Sequence, residues 1–480
     1  MIGSGYGGVA SASLLQDSGL NTLILEAHDL PFGCASYFNR KEFQFDVGAT
    51  TFSGVLDHQP IGRLRKRLGL EFELKKLDPG MVIFLNSKKI IRHSNKEDWI
   101  SEAESHFGEN GQKKFWDSIY SIEKIAWEFL TNNSNLPPVN LKDYIKLGKI
   151  TNLKYLPLLK EIFSPLSNLL KSKKIINTDF IKFINEQLLI TTQSTIEDAP
   201  VLSSALGLSY PSETYYPIGG MYRPGEKILN KFIEKGGDIK FKQKVLSIKR
   251  NKDFYELETN NSKYRSKYLI SNSPIWSLQN ITEGKIQKYF KKLSEKFNYA
   301  PAAFIMNFAI KSNIDLETLY YQVHTKIKIP HCSAGAFFVS FSSKEDRLKA
   351  PEGYRTVTIS THTKPEFWNR KNREIYKEKK RDTSEFILKE FFNVFPFFQE
   401  SEILYLLPGS SETYERYTGR YKGFVGGIPH RVSPSLLSFP ANETPFKNFY
   451  IVGDSSFPGQ GIPAVVYGGM NVADRILEKI

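Results

Sequence analysis

Gly3, Gly5 and Gly8 stand at the spacing G-x-G-x-x-G in the opening run M-I-G-S-G-Y-G-G, with Ser4 between the first two. Residues of this type at this spacing bind a dinucleotide. Gly3 permits the tight turn, Gly5 lets a pyrophosphate approach the backbone, and Gly8 lets a helix pack closely on a strand. An apolar and small-residue helix pattern follows from Val9 to Ser18, Gly19 ends it, and Thr22–Leu25 reads as a strand leading into Glu26. A carboxylate about 20 residues beyond the glycines accepts hydrogen bonds from the ribose hydroxyls and repels the 2'-phosphate of NADP, so FAD or NAD is favoured. A glycine-rich turn followed by a chance acid matches the same string.

A second chemical signal lies near the other end, N-F-Y-I-V-G-D-S-S-F-P-G-Q-G-I-P from Asn448. A buried strand from Phe449 to Val452 is expected to end at Gly453 and Asp454, with a helix starting near Pro463. Asp454 can accept a hydrogen bond from a ribityl hydroxyl. Backbone N–H groups at the helix start can face the pyrimidine side of a flavin, where negative charge accumulates on reduction. A plain strand–turn–helix fits these residues too.

These motifs need a parallel sheet to hold them. A central strand has about five or six residues, yet only Met1 and Ile2 precede Gly3, so several residues are expected to be missing at the start. Residues 1–85 read as the first half of a nucleotide-binding α/β unit, which resumes near 215. There P-I-G-G-M-Y-R-P-G leads to a helix from Glu226 to Lys235, then strands Lys240–Ile248, Phe254–Thr259 and Tyr264–Asn272. Between them, residues 97–190 are helix-rich by apolar spacing and suggest a cap over a substrate. Within the cap, Leu153, Leu156, Leu159, Phe163, Leu166 and Leu170 alternate with Lys154, Lys160 and Lys171, a pattern suited to a membrane surface or to a core-facing helix. Pro157 and Pro165 break any single long helix. Strand-like Ala336–Phe341 and Thr356–Ser360, with a helix near Thr383–Phe395, suit a second sheet forming a substrate pocket.

Composition narrows the classes. A chain of 480 residues with 40% hydrophobic content suits two unequal, connected domains. The 35 Phe and 24 Tyr suit a long apolar or planar ligand, or simple core filling. The net charge of +14 is scattered lysine without an RNA-binding signature, which argues against nucleic acid and is compatible with an anionic membrane. Two distant cysteines, Cys34 and Cys332, suggest neither a disulfide framework nor zinc, and eight scattered histidines suggest no metal. No apolar run reaches about 18 residues and no export signal is visible. The expected location is peripheral, on the cytoplasmic side of a membrane.

Taken together, the motifs resemble the FAD-dependent carotenoid desaturase and isomerase family, related to phytoene desaturases and more distantly to flavin amine oxidases. The resemblance rests on the opening glycine turn with Glu26, P-F-G-C-A-S from Pro31, F-D-V-G-A-T from Phe45 and P-I-G-G-M from Pro217. Further matches are S-N-S-P from Ser271, E-R-Y-T-G-R from Glu415, G-F-V-G-G-I-P-H from Gly423 and the C-terminal motif. It covers nearly the whole chain and looks most like bacterial carotenoid C-3',4' desaturases and carotenoid cis-trans isomerases. Pro-Phe-Gly replaces the Pro-Gly-Gly of many relatives, so Phe32 is expected to stiffen a loop near the flavin.

The resemblance implies an α/β fold with a Rossmann-like FAD-binding domain (1–85, 215–300 and 425–480), a helical cap (86–214) and a mixed-sheet substrate domain (301–424). By match to the family, Gly3, Ser4, Gly5 and Gly8 receive the pyrophosphate and Glu26 the adenosine ribose. Gly33, Ala35 and Ser36 lie along the cofactor, Gly48, Ala49 and Thr50 near the flavin ring, and Val245 pairs with adenine. Gly453 and Asp454 hold the ribityl and phosphate region, with Gly461, Ile462 and Pro463 at the helix start. The implied substrate is a carotenoid or related polyene delivered from a bilayer.

The first expectation is desaturation, a hydride passing to the flavin and a proton to a base or water, with the cofactor carrying the hard chemistry. Asp46, Glu213 and Glu415 are candidate bases, each better suited to a solvated or structural role. Isomerisation with reduced flavin, and polyene saturation, use the same motifs. The rivals are a soluble amine oxidase, which needs an aromatic cage and acidic entrance, and a cofactor-free, membrane-associated remnant. The sequence names no electron acceptor.

Overall fold

The computed structural model describes residues 1–399 and 402–480. Five short segments pair in parallel in the order Asp238–Lys240, Leu23–Leu25, Ile2, Leu269–Ser271, Phe449–Ile451. The glycine motif therefore opens from the middle of this sheet. Ile2 donates from its N–H to Ile270 and accepts at its carbonyl from Asn272 on one side, while on the other the Leu25 N–H donates to the Met1 carbonyl and the Gly3 N–H to the Leu25 carbonyl.

Side chains alternate across a strand, and both faces of this sheet are covered, as a parallel sheet requires. Ile24, Ile270 and Tyr450 face the helices Tyr6–Asp17, Arg223–Glu234 and Ile462–Leu477, packing on Val9, Phe232 and Val466. Ile2, Leu25, Leu269 and Ile451 face the antiparallel meander Val245–Arg250, Tyr255–Thr259 and Lys263–Ser266 through Ile248 and Leu257. The first and last helices approach closely because glycine meets glycine: a Cβ at Gly469 would lie 2.4 Å from the Gly7 carbonyl oxygen. That contact joins the two ends of the chain.

The expected strand Lys240–Ile248 is two strands in different sheets, Asp238–Lys240 and Val245–Arg250, separated at Lys242, where φ is 56°. The expected Tyr264–Asn272 strand divides likewise, into Lys263–Ser266 of the meander and Leu269–Ser271 of the parallel sheet. Periodicity alone does not reveal where a chain changes sheets.

The second sheet has seven strands in the order Ile403–Gly409, Ala302–Lys311, Tyr354–Thr363, Ala336–Phe341, Tyr320–His324, Met81–Leu85, Lys88–Arg92. It takes in residues 81–92, so strand pairing crosses the boundary expected at residue 85. Six helices lie between Lys96 and Thr191. Their apolar residues, Trp99, Trp116, Phe180 and Leu188 among them, share one core with the sheet residues Ile83, Phe308 and Val339. Leu166 and Leu170 belong to that core, whereas Leu153, Leu156, Leu159 and Phe163 are exposed. The leucine stripe thus divides at Pro165, the residue that interrupts the helix.

Candidate functional site

One cavity of about 510 Å³ runs from the glycine turn to the floor of the seven-stranded sheet. At its first end, Gly3, Ser4 and Gly5 line the wall with Glu26 and Val245. Gly5 caps the Tyr6–Asp17 helix without any side-chain hydrogen bond, which leaves the first-turn N–H groups free for an anion. Asn272 crosses behind the turn; a Cβ at Gly5 would sit 2.3 Å from its Nδ2. Gly8 does not line the cavity. A Cβ there would lie 2.5 Å from the Gly3 carbonyl oxygen, so its absence is what lets the helix settle on the strand.

The Glu26 carboxylate is held from three directions. Its Oε2 accepts from the N–H and hydroxyl of Ser4 at 2.8 and 2.6 Å, and its Oε1 from the His28 N–H at 2.9 Å.

The middle of the cavity is lined by Gly33, Cys34 and Ala35, by Gly48, Ala49 and Thr50, and by Gly453, Asp454, Gly461 and Ile462. The helix Ile462–Leu477 starts here from Gly461, again with no side-chain cap. Asp454 is locked by Arg420, whose Nη2 lies 2.6 Å from its Oδ2. Ser36 and Pro463 stand behind the lining. Ser36 is buried with its hydroxyl unpartnered, and Pro463 packs where a Cβ on Gly54 would be. Phe32 holds φ at 75°, a costly value for a bulky residue, and packs its buried ring against that of Tyr6, centroids 5.6 Å apart and planes tilted by 44°.

The far end is a chamber. Ala303, Phe337, Phe338 and His362 of the sheet face Glu186 and Ile190 of the helix Thr178–Thr191. Just beyond that helix, Gln193 donates to Gln460 at 2.9 Å, tying the chamber roof to the residue before Gly461. Burial lowers the His362 pKa to about 4, leaving it neutral. Burial also raises Glu186, to about 7, opposed by one hydrogen bond from the Gly335 N–H at 2.8 Å.

None of the three candidate bases lines this cavity. Asp46 pairs with Lys349 at 2.9 Å and accepts from the Met221 N–H, Glu213 pairs with Lys76 at 3.0 Å, and Glu415 is exposed. Their polar partners are structural. Conversely, Asn272 and Arg420 lie at the cavity although no role was derived for them, and both fall inside quoted motifs. Glu186 carried no local signal, because nothing in its own helix marks it off from other cap residues.

A parallel sheet opening into uncapped helix starts, a fixed ribose-type acid and a cavity ending on a second sheet define a two-sheet flavoenzyme. The chain belongs to the flavin-containing amine oxidoreductase family, which it matches over residues 6–477, and its cofactor is FAD. It is 26% identical over 500 residues to a chloroplastic prolycopene isomerase of Daucus carota, covering 99% of this chain and 79% of the relative. It is 22% identical over 498 residues to a 1-hydroxycarotenoid 3,4-desaturase of a Flavobacterium species, covering 99% and 98%. Its fold matches that of an oxidoreductase from Methanosarcina mazei with a TM-score of 0.66 at 17% identity, over 98% of this chain and 99% of that one. The family's flavin requirement overturns the cofactor-free remnant.

The residues fit FAD. The Gly5 helix start would suit its diphosphate, Glu26 its adenosine ribose and the wall between Gly48 and Gly461 its ring system.

Proposed function

We propose that this protein is an FAD-dependent enzyme of carotenoid metabolism acting on a long polyene, first by cis-trans isomerisation and second by desaturation. The cavity that joins the glycine turn to the apolar sheet floor carries this reading, because it offers one path from the cofactor to Ile190, Phe337 and Phe338. Isomerisation comes before the desaturation first expected because the prolycopene isomerase similarity is higher than the desaturase similarity. Desaturation is retained because the desaturase relative matches over almost its whole length.

When bound, FAD supplies hydride and electron chemistry that no side chain here provides. The chain orients it. In this reading Gly3, Ser4 and Gly5 hold the diphosphate, with Gly8 setting the turn, Glu26 the ribose and Val245 the adenine. Gly33, Ala35 and Ser36 follow the cofactor, Gly48, Ala49 and Thr50 border the flavin, and Gly453, Asp454, Gly461, Ile462 and Pro463 close the ribityl and pyrimidine side. The parallel-sheet half serves as the FAD domain, the seven-stranded sheet as the substrate domain and the helices of 96–191 as the cap.

The protein works at a membrane surface, on its cytoplasmic side. No described helix is long and apolar enough to cross one. The support is an apolar patch on the cap: Leu141 is 76% exposed, Ile145 66%, Ile150 81%, and Leu153 and Leu156 55% each. Lys142, Lys149, Lys154 and Lys160 are interspersed among them, as an anionic bilayer favours.

The test is incubation of the reduced, FAD-loaded enzyme with a poly-cis carotenoid in liposomes. Altered geometry at constant mass supports isomerisation, and loss of two hydrogens supports desaturation. Turnover of an amine with no action on the carotenoid overturns both.

A further inference from the structure

Three carboxylates line the main cavity: Glu26, Asp454 and Glu186. Glu26 is bound to Ser4 and Asp454 to Arg420. Glu186 has only the Gly335 N–H, and no cation among the described residues neutralises it. It sits one helical turn before Ile190, on the helix face that covers the chamber. Gln193, seven residues on, touches Gln460 at the flavin end. Glu186 thus lies five residues before the end of the helix at Thr191, a rise of roughly 8 Å back from the turn that carries Gln193. A mostly desolvated carboxyl with one hydrogen-bond partner and no paired cation is expensive to keep, and its place against the substrate path gives it a use.

We propose that Glu186 is the acid–base group of the chamber, exchanging a proton with a carbon of the bound polyene. The proposal rests on the polyene reading above and assigns the residue that the reaction requires. In isomerisation the Glu186 O–H bond breaks and the π electron pair of one C=C bond forms a new C–H bond. The neighbouring carbon is left cationic, and the charge spreads along the conjugated chain. The former double bond, now single, rotates; the C–H proton then returns to the carboxylate and the π bond reforms. Nothing is oxidised or reduced overall. In desaturation the same carboxylate would take the proton from one carbon of the saturated bond, and FAD, when bound, would supply the hydride chemistry at its neighbour. In isomerisation the carboxyl need not adjoin the flavin, because the cation it generates is delocalised along the conjugated chain.

The ionisation of Glu186 is poised for either direction near neutrality. The other titratable groups around the chamber are held neutral, paired or turned away from it. Burial keeps His362 neutral on the facing strand and raises Tyr414 and Cys34, Arg420 is paired with Asp454, and Lys182 on the same helix points to solvent. Gln322, across the chamber, does not ionise.

The experiment compares the FAD-loaded native enzyme with E186Q and E186D, using a poly-cis carotenoid in liposomes. It reads flavin absorbance, carotenoid binding by its spectral shift, and turnover against pH. Expected are unchanged flavin content and carotenoid binding in E186Q, turnover lowered at least about 100-fold, and partial recovery in E186D. The native profile should show an ionisation near pH 7 that E186Q lacks. E186Q turning over within twofold of native, or keeping the same profile, overturns the role of Glu186 and leaves the polyene reading standing. A native enzyme that neither binds nor converts the carotenoid overturns the polyene reading, and this proposal with it.

Discussion

Ser4 clamps Glu26: one residue of the glycine turn donates both its backbone N–H and its hydroxyl to the same carboxylate oxygen, at 2.8 and 2.6 Å. The acid is thereby fixed toward the cavity before any ligand arrives. Hydrogen bonds to a charged group contribute about 1.5–3 kcal/mol each. Glu26→Ala should therefore weaken FAD binding by about 10- to 100-fold, and Ser4→Ala by less because the N–H bond survives. Titration of FAD into apoprotein, followed by flavin fluorescence, checks both; equal affinity in Glu26→Ala would remove Glu26 from the site.

The contact of Gly469 with Gly7 sets the distance between the first and last helices. Gly469→Ala puts a Cβ within 2.4 Å of backbone oxygen, where no side-chain rotation relieves it. Overpacking of this kind costs about 1–3 kcal/mol. Thermal unfolding should show the loss, and the retained flavin should fall because both nucleotide motifs ride on these helices.

Glu186 also makes stability depend on pH. Its pKa is raised from 4.5 to about 7 in the folded protein, so between those values the folded chain binds a proton that the unfolded chain does not. Stability is then complete below pH 4.5 and declines up to pH 7. Glu186→Gln removes this slope. Relative to native, the variant should gain on the order of 2 kcal/mol between pH 5 and pH 8, measured by denaturant unfolding across that range. A constant difference between the two proteins would contradict the raised pKa.

Arg475 and Asp143, each nearly inaccessible, pair at 2.9 Å and tie the C-terminal helix to the cap helix Leu141–Leu147. Breaking a buried pair strands the remaining charge. Asp143→Ala should cost about 3 kcal/mol, softened by Glu443, which lies 3.4 Å from the same guanidinium nitrogen. Asp143→Ala with Arg475→Met should recover part of the loss. Calorimetry on the two variants provides the comparison.

The apolar patch predicts membrane association without a change in chemistry. Replacing Ile150, Leu153 and Leu156 together by Ser should lower binding to anionic liposomes several-fold in a sedimentation assay, while flavin content stays native. These side chains are exposed, so their loss removes little packing. Unchanged sedimentation would set the membrane reading aside.

The glycine spacing, Glu26 and the run from Gly453 to Pro463 were legible in the sequence because each works through local backbone geometry. A tight turn, a helix start and the acid at the end of the next strand are specified within a few tens of residues. The two-sheet α/β architecture followed from the same local patterns. Lys240–Ile248 shows where that legibility stops, since its alternation was read correctly as strand while its change of sheet at Lys242 depends on partners elsewhere in the chain. The leucine stripe likewise announced an amphipathic segment, but only packing decided that Leu166 turns inward and Leu156 outward.

The proton-handling residue lay furthest from view. Asp46 stood within a family motif and proved to be held by Lys349, which is 303 residues away in sequence. Glu186 stood in an unremarked helix, and its environment is made by Gly335, His362 and the sheet floor. The sequence by itself determined the class of cofactor and the class of fold, because local hydrogen bonding and sterics encode them. Tertiary structure alone decided which acid is left unpaired at the substrate chamber, because burial and charge compensation are sums over residues that only folding brings together.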